Sequence, residues 1–147
     1  MKFKFKIILL FFSIYASFAQ GEANNWYFGY NAAITFNTGT PVALNNSAMQ
    51  TIEGCATLSD ELGNLLFYTD GRTIYNRNHQ VMVNGTGLLG HESSTQSGTI
   101  VPLPGVTNLF YVFTLDEMSN VNGFRYSIVD LNLDGGNGAV ITKNIQI

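Results

Sequence analysis

The chain has 147 residues, 46% hydrophobic and 12% charged, which gives apolar material for one modest core and no disorder-like composition. Three of its seven basic residues and none of its ten acidic ones lie ahead of Gln20, so residues 20–147 carry four basic against ten acidic groups, net −6. That balance argues against a nucleic-acid partner, whose phosphates need Lys and Arg, and leaves no basic patch for an anionic membrane surface.

In chain order, the first segment is MKFKFKIILLFFSIYASFA, with Lys2, Lys4 and Lys6, an apolar run from Ile7, and Ser17-Phe18-Ala19 at its end. A basic start, a short apolar stretch and small closing residues predict a secretory signal peptide over 1–19. The run ends at Ala19, short of the roughly 20 apolar residues that a bilayer-spanning helix requires, so no membrane span is expected after cleavage. Cys55 is the only cysteine, so an exported chain has no internal disulfide and its core must hold by burial. Set in EGCATL, Cys55 reads as a small buried hydrophobe.

Beyond Gln20, short apolar runs recur between Asn, Asp and Gly clusters: WYF at 26, AITF at 33, ATL at 56, LLFY at 65, TIVPL at 99, LFYVFTL at 109, YSIVDL at 126 and AVIT at 139. Runs rich in Val, Ile, Thr, Phe and Tyr between turn-forming residues predict β-strands. The longest helix candidate, around 116–121, is undercut by the neighbouring glycine and asparagines. The expectation is an all-β chain.

Several of these runs resemble one another. NWYFGYNAAITFN (25–37) and NLLFYTDGRTIYN (64–76) are both thirteen residues long at an offset of 39, with Asn25/Asn64, Phe28/Phe67 and Asn37/Asn76 identical. A third copy, NLFYVF from Asn108 (108–114 with the residue that follows), matches Leu65, Leu66 and Phe67 with Leu109, Phe110 and Tyr111 at an offset of 44. Turn segments SDELGN and LPGVTN precede the second and third copies. A multi-strand period of about 40 to 45 residues is the sequence signature of β-propeller blades. Residues 20–147 hold about three such units, fewer than the 4 to 8 of a closed ring. With KNIQI at its end, the chain reads as the first part of a longer protein, or as a truncated reading frame. A twisted β-sandwich of roughly seven or eight strands is the alternative fold.

The segments NNWYFGYNAAITFNTGTPVAL, EGCATLSDELGNLLFYTDG, NRNHQVMVNGTGLLGHESSTQSGTIVPLPG and FRYSIVDLNLDGGNGAVITKNI together resemble the N-terminal propeller-like region of large exported proteins of gliding bacteria. These are the gliding-motility-associated proteins with a type IX secretion sorting domain. The resemblance covers nearly all of 20–147 and is most specific over 53–105. It implies a secreted or cell-surface multidomain protein, and it supplies no catalytic residues.

Candidate chemistry is sparse. Asp130, Asn132, Asp134 and Gly135 match the first half of a calcium loop, but Ile141 stands where that loop needs a bidentate Glu, so a hairpin is the better reading. His91-Glu92-Ser93-Ser94-Thr95 begins like HExxH, with Thr95 in place of the second histidine and glycines that oppose a helix. Ser93 and Ser94 beside His91 lack a G-x-S-x-G elbow, and His79 reads as a turn residue. Asp60, Asp70, Asp116 and Asp130 could supply a glycosidase's acid pair, yet SDELG and YTDGR are turn contexts that favour Asp for local backbone hydrogen bonds. Trp26, Tyr27 and Phe28 could stack on a sugar, but read first as core. No catalytic, cofactor-binding or metal residue is assigned. The expected function is a non-catalytic binding or structural module at the cell surface, with an unknown protein or glycan as partner; the rival is a carbohydrate-active propeller enzyme.

Overall fold

A computed structural model describes residues 21–118 and 121–147. The segment expected to be a signal peptide lies outside them. Eleven strands are described: β1 Asn25–Tyr27, β2 Ala33–Thr35, β3 Val42–Leu44, β4 Ala56–Ser59, β5 Leu65–Thr69, β6 Thr73–Asn76, β7 Val81–Thr86, β8 Gly98–Pro102, β9 Leu109–Leu115, β10 Phe124–Asp130 and β11 Ala139–Gln146. The all-β expectation holds, and each of the eight apolar runs contributes to a strand. The described part of 116–121 is bend and turn, without helix.

Strands β4 to β7 form one antiparallel meander and β8 to β11 a second. A single parallel pairing, Ala139 with Val83, joins β11 to β7, so the strands run in the order β4-β5-β6-β7-β11-β10-β9-β8. This eight-stranded sheet folds back until its edges β4 and β8 lie together, a nearly closed, barrel-like layer. Alternation in β9 explains why it can close: Phe110, Val112 and Thr114 point inward while Tyr111 and Phe113 point out. The core between the meanders gathers Phe67, Ile74, Met82, Phe110, Val112, Val129 and Val140, with the Phe67 and Phe110 rings edge to face at 5.6 Å.

The three-stranded sheet β1-β2-β3 packs on the other face of the first meander. Tyr27, Ala33 and Met49 close on Tyr68 there, and Cys55 packs half-buried against them, as its sequence context suggests. Tyr27 and Tyr68 stack at 4.6 Å, and Tyr68 and Tyr75 at 5.2 Å. Trp26 departs from its expected core role: it is 49% exposed on the outer face, its ring edge-on to Phe28 and Phe36. One residue decides this, because adjacent strand positions face opposite sides and Tyr27 takes the inward one.

Burial pushes the phenols of Tyr27, Tyr68 and Tyr75 above their ordinary value. Unfolded tyrosines ionise near pH 10 while the folded ones stay neutral, so the folded state is favoured in full below about pH 10 and loses that advantage as pH rises further. The melting temperature should therefore fall steeply above about pH 10. Tyr68→Phe should flatten that fall in a thermal-denaturation series, whereas an unchanged slope would remove the stack as its cause.

The repeated segments occupy unlike and like places. In 25–37 the hairpin pairs Asn25 with Thr35, whereas in 64–76 it pairs Thr69 with Ile74, so Phe28 flanks a turn while its match Phe67 is a fully buried strand centre. Turn length sets hairpin register, and the two turns differ. The second and third copies agree better. β5 and β9 are each the second strand of a meander.

Candidate functional site

Strand direction sorts the polar candidates to the two ends of the meanders. One end collects the β5–β6 turn (70–72), the β7–β8 connection (87–97) and the β9–β10 loop (116–123). Asp70, Asp116, His91, Glu92, Ser93 and Ser94 are therefore brought to the same end. Asp60, His79, Asp130, Asn132 and Asp134 lie at the opposite one.

At the first end, Asp70 anchors the turn: its Oδ1 accepts the backbone N–H groups of Arg72 at 2.8 Å and Thr73 at 2.7 Å. The turn holds the connection down. Ser97 Oγ donates to the Asp70 carbonyl at 2.6 Å, and the N–H groups of Leu88 and Gly90 reach the carbonyls of Arg72 and Gly71. Arg72 extends from this turn to Glu92 (Nη1 to Oε2, 2.8 Å), with Asp70 Oδ2 at 3.6 Å from its Nη2. Its Nε is buried and makes no hydrogen bond among the described residues.

The segment His91 to Ser97 is a run of tight turns, with Ser94 N–H to His91 O and Ser97 N–H to Ser94 O, so no HExxH helix exists here. His91 Nδ1 accepts the backbone N–H of Ser93 at 3.1 Å and lies 3.4 Å from Glu117 Oε2. The two contacts exclude each other, because the first needs a bare nitrogen and the second a protonated one. It is the backbone of Ser93, not its hydroxyl, that meets the imidazole. Beside it, Ser93, Ser94, Asp116 and Glu117 line an open cleft of about 410 Å³. Asp116 is itself a loop anchor, accepting the N–H groups of Glu117 and Asn122.

The other end follows the same rule. Asp60 accepts the N–H groups of Leu62 and Asn64 and the Asn64 side-chain amide. Its slight burial works against its charge, but these bonds outweigh that and hold the carboxyl below its usual range. Asp130 Oδ1 accepts from Asn132, and Asn108 donates to Asn132 Oδ1. Strands β10 and β11 flank this segment, with Asp130 opposite Ala139, so DLNLDGGNGAVI forms a hairpin. No cluster of three or more His, Cys, Asp or Glu residues suited to a metal is found among the described residues.

His79 sits in the β6–β7 turn with φ +61°. Asn46 Nδ2 donates to its Nε2 at 2.8 Å, which puts the proton on Nδ1, 3.3 Å from Tyr68 Oη. Burial lowers its pKa. Sequence reasoning missed the Arg72–Glu92 pair and the Ser97 cross-link, since both join residues twenty or more positions apart with no motif between them.

No helix among the described residues is long and apolar enough to cross a membrane. Compared with family models, curated proteins and solved structures, the chain finds no match.

Proposed function

We propose that the chain is a propeller-type, non-catalytic binding or structural module of a secreted or cell-surface protein, of the gliding-motility and type IX secretion kind that its sequence resembles. The observation that carries this reading is the stacking of two consecutive four-stranded meanders. Their first strands, β4 and β8, lie together, their last strands, β7 and β11, run parallel, and a further sheet packs on the far face of the first. Propeller blades likewise bury the faces of small consecutive sheets against their neighbours, which is what supports the reading. The offset of 44 supports it, because Phe67 faces the second meander and its match Tyr111 faces the equivalent direction one sheet further on.

The binding surface in this reading is the loop end with Arg72, His91 and Asp116. Carboxylates at both ends are engaged as backbone anchors, which favours a module over the glycosidase rival. The test incubates the exported chain with insoluble peptidoglycan, chitin and cellulose, scoring retention and release of reducing ends. Retention without release, weakened by Arg72→Ala, is the expected result. Release abolished by Asp70→Asn or Asp116→Asn would establish the enzyme instead.

A further inference from the structure

The end of the molecule away from Arg72 holds a second cleft, of about 410 Å³, where the edge strands β4 and β8 come together. Its walls are apolar, with Leu58 and Leu66 from the first meander and Phe110 from the second. Its charged groups are of one sign only. Glu22, Asp60 and Glu61 line it, and among the described residues no Lys, Arg or His does. Glu22 belongs to a short 3-10 turn, Gly21–Ala23, which is held against the β4–β5 turn by the Gly21 N–H donating to the Glu61 carbonyl at 3.2 Å. The chain just after it is fixed as well, because the Asn25 side-chain amide donates to Ser59 Oγ and to the Gly63 carbonyl, each at 2.8 Å.

The three carboxylates are not equivalent. Asp60 is engaged by its own turn, where it accepts from Leu62 and Asn64, and the charge of Arg77 bears on it. Glu22 is the reverse case: its Oε2 is buried and accepts no hydrogen bond among the described residues. A buried carboxylate oxygen without a donor is destabilising, and a ligand that brings the donor removes that strain. We propose that this cleft binds a Lys or Arg side chain of a partner polypeptide, its cationic head donating to Glu22 Oε2 and its apolar stem lying along Leu58, Leu66 and Phe110. Three observations favour this occupant. First, the charge is complementary, since the cleft is acidic and residues 20–147 carry a net −6. Second, apolar walls below a carboxylate suit a side chain that buries its methylenes and keeps its charge at the tip, and no three acidic side chains gather here as a bare metal ion would need. Third, among the described residues β4 pairs only with β5 and β8 only with β9, so both strands at the cleft keep one edge free of a ladder. A peptide main chain carries the donors and acceptors that such edges lack.

The experiment titrates the exported chain with capped three-residue peptides that carry lysine, arginine or norleucine between two glycines, and with butylamine, while its backbone amide resonances are followed by NMR. Saturable shifts centred on residue 22 and on 58–66 are expected with the two cationic peptides, weaker binding with butylamine and none with the norleucine peptide. Glu22→Gln should weaken binding about tenfold, the loss of one charge-assisted contact. Glu61→Arg, at an exposed position, sets a fixed cation at the rim and should weaken binding too; it serves as the second variant should Glu22→Gln fail to give a cooperative melt. No saturable shift with either cationic peptide overturns the proposal. So does equal binding of the norleucine peptide, which would make the cleft merely apolar, and so does equal binding of butylamine, which removes the polypeptide as occupant. Binding unchanged in both carboxylate variants overturns it as well, by placing the cation elsewhere. Polysaccharide retention at the loop end is read separately: its absence beside cation binding leaves this proposal standing, and its presence without cation binding overturns this proposal alone.

Discussion

Phe67→Ala is expected to lower stability by about 3 to 5 kcal/mol and the melting temperature by more than about 10 °C. The ring is fully buried at the centre of β5, where it meets Phe110 edge-on across the space between the meanders. Removing it takes away transfer energy, leaves a cavity and ends the aromatic pair. Collapse cannot heal that loss easily, because Val112 and Val129 opposite are pinned in paired strands. Leu62→Ala, at a side chain 84% exposed in the neighbouring turn, should change stability by less than about 0.5 kcal/mol. Urea denaturation of both variants decides the matter. A Phe67→Ala loss as small as that of Leu62→Ala would mean that the two meanders do not pack through this face.

Gly71→Ala should cost on the order of 3 kcal/mol and loosen the loop end described as the candidate binding surface. Its φ of +80° already disfavours any side chain, and an added Cβ would collide with the Ser97 hydroxyl and the Ser97 carbonyl. Ser97 cannot step aside, since its hydroxyl donates to the Asp70 carbonyl and its own carbonyl accepts from Leu115. The connection 87–97 would have to lift from the turn. Gly105→Ala is the matched control: its φ is +76°, but nothing lies within 4 Å of the added carbon, so only the backbone term of about 1 kcal/mol remains. Equal losses at the two glycines would show that contact with Ser97 carries no weight. Faster amide exchange over 87–97 in Gly71→Ala alone is the expected signature.

The strand content was largely legible, because β5, β9, β10 and β11 announce themselves as apolar runs bounded by turn residues. Strands β3, β6 and β7 were not among those runs. VMVNGT buries only Met82 and Gly85 among exposed residues, and TIYN is four residues long, so neither concentrates enough apolar character to stand out. The turn role of Asp60 and Asp70 could be read locally, since an Asx turn is decided by the next two or three residues. Hairpin register could not. The match between 25–37 and 64–76 counts residue types, whereas pairing is set by how many residues each turn consumes. The gathering of Arg72, Glu92 and Ser97 is likewise a product of topology, which no linear spacing encodes.

The dependence of the three-stranded sheet on a strand that comes after it sets an order of assembly. Tyr27, Ala33 and Met49 have little to bury against until Tyr68 of β5 arrives, and Asn25 finds its partners in Ser59 and Gly63. A chain that emerges from its N-terminus thus holds its first sheet unfinished while residues 45–68 follow, and that sheet locks only when the β4–β5 hairpin closes over it. The second meander needs no such wait, because the meander it packs against, β4 to β7, precedes it in the chain. Until then, the earliest-made part of the molecule is also the part most open to wrong pairings.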